Sequence, residues 1–119
     1  MNKVNEAITY VEDMLAAMDK IHIFIQGFDE TQFRNDEKTI FAVIRALEII
    51  GEVAKRIPDT LRGSYRSVPW REMAGMRDKL IHDYTVVDVI VVWKTATEDI
   101  PSVQPILRHI LNDLRAQAK

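Results

Sequence analysis

The stretch Gly75-Met76-Arg77-Asp78-Lys79-Leu80-Ile81-His82-Asp83-Tyr84 has the apolar spacing of a helix and an arginine where that helix is greasiest. Counted from Trp70 at about 100° per residue, Trp70, Met73, Ala74, Met76, Leu80, Ile81 and Tyr84 gather into one broad apolar arc. Arg77 falls near its middle, roughly 20° from both Trp70 and Tyr84, while Arg71, Asp78 and His82 share one flank. A guanidinium on a core-facing stripe is costly unless an anion or acceptor meets it. The spacing alone leaves two partners open: a substrate phosphate, or a structural ion pair with Glu48 or Glu52, which stand four apart on the preceding helix.

The rest of the chain reads as helices around this one. Val4, Ile8, Val11, Leu15, Met18, His22 and Ile25 recur at steps of four and three, predicting a first helix that Gly27 ends. His22, on that seam, reads as a core or interface histidine. Residues 29–33 suggest a short turn. Asn35 is placed as the N-cap of a second helix, with Asp36 and Glu37 favourable to its dipole and Ile57-Pro58 its stop. That helix is apolar on more than one face, so it should be central or packed on a second subunit, with Gly51 permitting close approach. Residues 59–68 form a polar connection whose Arg62 and Arg66 either rim a phosphate site or stay solvated. Pro69 pre-sets the first turn of the third helix, which carries the opening stretch to about Tyr84.

Thr85-Val86-Val87-Asp88 matches a capping box and should start a fourth helix. Its β-branched run has no strand elsewhere to pair with, so helix wins over strand. Pro101 and Pro105 should break or kink the chain after Glu98, before a last helix striped by Val103, Ile106, Leu107, Ile110, Leu111 and Leu114. The expectation is a single all-α domain over residues 1–119, an up-and-down bundle of about five helices that dimerises.

Composition narrows the function. At 119 residues the chain suits one core, and with no cysteine it has no disulfide, thiolate ligand or cysteine nucleophile. Charged residues interrupt the N-terminal segment and no apolar run nears the ~20 residues of a membrane span, so a cytoplasmic protein without membrane contact is expected. A net charge of -2 argues against a broad basic nucleic-acid face but allows a small cationic pocket. His22, His82 and His109 form no metal-ligand spacing, and there is no Gly-rich phosphate loop or nucleophile elbow, so neither metal nor cofactor is expected. What remains is Arg77, His82 and Tyr84. Histidine exchanges protons near neutral pH, arginine clamps a phosphoryl group, and Asp78, four residues before His82, can fix its tautomer. These parts suffice for RNA cleavage, in which the 2′-hydroxyl is already the nucleophile.

Arg77-x4-His82-x-Tyr84, with Ile50-Gly51-Glu52 and Val68-Pro69-Trp70 upstream and Asp99-Ile100-Pro101 before the last helix, resembles the HepT-like family of HEPN domains. The resemblance runs over nearly the whole chain. It implies a dimeric helical bundle with the Arg-x4-His motifs lining an inter-subunit cleft. It also implies a metal-independent endoribonuclease, the toxin of a toxin–antitoxin pair whose antitoxin is typically a minimal nucleotidyltransferase (MNT). On that likeness Arg77 stabilises the scissile phosphate and His82 is the general base or acid. Tyr84 shapes the site and is a candidate for AMPylation by the antitoxin. One departure is Asp78, where the family often has asparagine: the added charge would either weaken RNA binding or raise the basicity of the histidine. The competing expectation is a non-catalytic HEPN subunit whose cleft docks the nucleotidyltransferase or its nucleotide.

Overall fold

A computed structural model of the protein describes residues 3–82 and 88–119, with side-chain surroundings for all of these except 77–82. The elements are α1 (Lys3–Ile25), α2 (Glu30–Arg34), α3 (Glu37–Arg56), α4 (Asp59–Ser64), α5 (Trp70–His82), α6 (Val89–Lys94), a π-turn (Thr95–Asp99) and α7 (Ile100–Ala118). No strand occurs among the described residues, so the fold is the expected all-α bundle. The central helix α3 lies along both α1 and α5, and α1 lies along α7.

The α1 seam is the core's first wall. Val11, Met14, Met18 and Ile21 are completely buried, and Gly27 closes the helix at φ +83, a conformation natural to glycine. His22 departs from the core half of its expectation. It is exposed rather than part of the core, because the seam drifts at 3.6 residues per turn and Ile21 takes the inner position.

The expected turn at 29–33 is the short helix α2. Asp29 and Gln32 cap it reciprocally: Gln32 N–H donates to Asp29 Oδ1 at 2.8 Å, and Asp29 N–H donates to Gln32 Oε1 at 3.0 Å. Five residues cannot hold a helix alone. Fully buried Phe33, its ring centroid 5.1 Å from that of Trp93, pins it to the core. Asn35 is therefore not the N-cap of α3. It closes α2, donating its N–H to Gln32 O at 3.2 Å, and Asp36 caps α3 by accepting from Thr39 N–H at 3.0 Å.

The polar connection likewise contains a helix, α4, with Leu61 buried. Arg62 is neither solvated nor aimed at a phosphate. Its Nη2 donates to Ala54 O at 2.7 Å and its Nε to Ile57 O at 3.1 Å, which satisfies carbonyls that the end of α3 leaves open. Arg62→Ala is expected to lower stability by about 1.5–3 kcal/mol, the range for charged hydrogen bonds. Arg62→Lys should restore only part of this, since an ammonium cannot fork to two carbonyls. Urea unfolding checks both, as midpoint shifts at unchanged m-value.

The helix after residue 87 begins one turn later than the capping box implies. Asp88 is its N-cap, accepting from Ile90 N–H at 2.9 Å, while Thr85 lies outside the described residues. Nor do the prolines break it, for the chain stays helical from Val89 to Ala118. In an α-helix the Pro101 ring would strike the carbonyl four residues back. A π-turn precedes it instead, with Ile100 N–H donating to Thr95 O. Thr95 and Thr97 hydroxyls donate to Val91 O and Trp93 O, each at 2.8 Å, and support the widened turn. Pro101 then falls in the first turn of α7, where no donor is needed, and Pro105 stands on the exposed side.

Candidate functional site

The start of α5 is tightly fixed. Pro69 ends up just outside the helix, its carbonyl accepting from Met73 N–H at 3.0 Å. Trp70 is buried, and its indole N–H donates to Tyr65 O at 3.0 Å. Tyr65 in turn donates its hydroxyl to Asp113 Oδ2 on α7, also at 3.0 Å. Burial pushes the Tyr65 phenol above its ordinary 10.0, and the Asp113 hydrogen bond and charge push the same way. The hydroxyl therefore stays protonated and donating through the physiological range. Two hydrogen bonds thus connect α7 to the first turn of α5.

This anchor sets the direction of α5. Arg62, which caps the end of α3, lines one depression with Trp70 and Arg71, so α5 begins where α3 finishes and runs back along it. Met73 and Met76 of α5 then face Leu47 and Ile50 of α3 across an apolar cleft of about 310 Å³. Thr95 and Ile100, at the π-turn, close its other side. The next residue along α5 is Arg77, and His82 is the last. The backbone of the second half of α5 consequently approaches the N-terminal half of α3. There Phe41 is 60% exposed, and Ile90 and Val91 on neighbouring α6 also face outward.

Arg77, Asp78 and His82 are therefore on one helix, as expected, with Arg77 and His82 about 140° apart in register. Their side-chain partners, and Tyr84 altogether, lie outside the described residues. Glu48 and Glu52 each face an arginine of their own helix, Arg45 at 3.9 Å and Arg56 at 3.3 Å. Among the described residues no group of three His, Cys, Asp or Glu could hold a metal ion. No helix of those residues is long and apolar enough to cross a membrane. The expectation missed Tyr65 and Asp113, which are 48 residues apart and carry no local signal of their pairing.

Fold and motif together define a small helical domain with an Arg-x4-His helix at one end. The signature described as Ribonuclease HepT-like matches residues 14–110. The chain belongs to this HepT-like ribonuclease family. A relative from Thermococcus cleftensis named "Probable ribonuclease HepT" is 54% identical over 95 residues, which is 80% of this chain and 86% of the relative. "Putative RNase MJ0125" of Methanocaldococcus jannaschii is 44% identical over 105 residues, covering 88% and 90%. "Putative RNase TTE0752" of Caldanaerobacter subterraneus is 37% identical over 102 residues, covering 86% and 91%. No solved structure matches the chain significantly.

Proposed function

We propose that the chain is an endoribonuclease that cleaves RNA without a metal, through attack of the 2′-hydroxyl on the adjacent phosphate. The observation that carries this reading is the Arg77-x4-His82 pair on one anchored helix, inside the region that matches the HepT-like signature. His82 takes the 2′-hydroxyl proton as the O2′–P bond forms. Arg77 holds the phosphoryl oxygens as their charge grows. The P–O5′ bond breaks, and a protonated histidine delivers a proton to the leaving oxygen. The products are a 2′,3′-cyclic phosphate and a 5′-hydroxyl.

A register difference of 140° makes it hard for one straight helix to aim both groups at one phosphate, which favours a site built by two copies. The exposed Phe41, together with Ile90 and Val91, supplies apolar surface near that end of α5 that a second copy would cover. In this reading the dimer is the toxin, an MNT-type nucleotidyltransferase is its antitoxin, and AMPylation of Tyr84 switches it off. An added AMP would set a phosphodiester near Arg77 and compete with substrate at high effective concentration. The non-catalytic alternative rests on Asp78, whose negative charge opposes a phosphate.

Incubating purified protein with total RNA in excess chelator tests the proposal. Cleavage is expected, and intact RNA would favour the binding subunit. Co-expression with the partner nucleotidyltransferase should add AMP mass to the wild type but none to Tyr84→Phe, which keeps cleaving RNA. An adduct on another residue removes Tyr84 from the switch.

A further inference from the structure

The chain has a net charge of -2, yet three arginines and one carboxylate line a single open depression of about 440 Å³ at the start of α5. The arginines are Arg62, Arg66 and Arg71, and the carboxylate is Glu72. Arg62 is held by two main-chain carbonyls, neutral acceptors that fix its charge without cancelling it. Arg66 and Arg71 are exposed and have no hydrogen-bond or ion-pair partner among the described residues. Arginines with no ion-pair partner among the described residues, concentrated on one face of an acidic chain, are an anion-binding feature.

A second observation lies on the same helix. Gly75 is exposed in the interior of α5, and a Cβ built there meets nothing within 4 Å. The fold therefore does not require glycine at this position, although glycine weakens a helix. Positions 71, 75 and 82 fall within about 40° of one another around α5, at successive heights spanning roughly 16 Å. The bare position stands between Arg71 and the candidate general base, on the path from one to the other. An absent side chain on such a path admits the close approach of another molecule's backbone.

We infer that this flank of α5 is an RNA-backbone track, on which Arg66 and Arg71 hold phosphates a few nucleotides from the scissile bond and Gly75 lets the strand pass against the helix. The inference rests on the ribonuclease reading and extends it: the substrate is a strand long enough to reach from the site to the α4–α5 connection, gripped by charge and not by base. Because the contacts go to phosphate, they contribute affinity and salt dependence with no sequence preference.

The test measures binding of a long 2′-O-methylated RNA, which lacks the attacking hydroxyl, to the full chain at several salt concentrations. The Arg66→Glu/Arg71→Glu double variant should bind at least about 10-fold more weakly. Its slope of log affinity against log salt should fall by about 1.4, near 0.7 for each lost single-strand phosphate contact. Lys20→Glu, a single charge reversal at an exposed position of α1, should leave the slope unchanged. Gly75→Ala should melt a few degrees higher than wild type and yet bind RNA more weakly, a combination that a purely structural glycine cannot give. If wild type, the double variant and Gly75→Ala bind RNA with equal affinity and slope, the track is wrong and the ribonuclease reading stands. If Gly75→Ala leaves RNA binding intact but dissociates a dimer, the flank belongs to a second copy and the track is overturned. If the wild type binds no RNA, the ribonuclease reading fails and the track fails with it.

Discussion

Arg77→Ala and His82→Ala are each expected to lose RNA cleavage by a factor of roughly 10² or more while keeping wild-type helix content and cooperative melting. In the proposed reading Arg77 meets the charge that grows on the phosphate and His82 takes the 2′-hydroxyl proton, so each variant removes one of the two terms. Arg77→Ala should melt no lower than wild type, since removing a charge from an apolar arc also removes its need for a partner. Mixed dimers of the two variants carry the test further. A site shared between copies regains about one wild-type-like centre per heterodimer, whereas a site within one chain regains none. Single-turnover cleavage of a labelled RNA reads both. If the two variants cut like the wild type, the residues are wrongly assigned, and if both unfold, the structural ion pair is the better reading of Arg77.

Phe33→Ala is expected to cost about 3–5 kcal/mol, among the largest effects of a single truncation in the fold. Phe33 is completely buried, and its ring lies 5.1 Å from that of Trp93 at an interplanar angle of 40°, a tilted pair that adds to the burial. The residue also carries α2, which otherwise has its own caps, the Asp29–Gln32 box and Asn35, to hold it. Its loss should therefore release α2 as well as open a cavity beside α6. Denaturant titration reads the shift in midpoint, and hydrogen exchange should show amides of residues 30–36 losing protection first. A loss below about 1 kcal/mol would mean that Phe33 does not anchor this segment as its burial indicates.

The bundle was legible because its long helices carry uninterrupted stripes. Val11, Leu15 and Met18 mark the inner face of α1, and Val43, Leu47 and Ile50 that of α3, at spacings only a helix satisfies. The short elements were not. In α2 and α4 one buried residue each, Phe33 and Leu61, does the anchoring, and a single apolar position has no period to read. The π-turn was hidden for a related reason. Pro101 and Pro105 signal a break by rule, but one extra residue in the turn before Pro101 and an outward-facing Pro105 preserve the helix.

The candidate site was legible as spacing and residue type, since Arg-x4-His on an apolar helix stands out against its own pattern. How that helix is set was not legible. Its anchor runs through Tyr65 to Asp113, 48 residues apart, and its direction depends on Arg62 capping α3, and neither pairing is marked by a sequence pattern. The basic depression was only half legible: a phosphate rim at Arg66 was one of two open readings, and Arg71 was not joined to it. Arg66 and Arg71 belong to different elements, and only the turn at Val68-Pro69 brings them to one hollow.

The most direct test of the proposed chemistry is the structure of the cut ends. RNA incubated with the purified protein in chelator should carry 2′,3′-cyclic phosphates and 5′-hydroxyls, and His82→Ala protein should leave the RNA whole. Ends bearing 3′-hydroxyls and 5′-phosphates would require attack by water and not by the 2′-hydroxyl, and would contradict the roles given to Arg77 and His82.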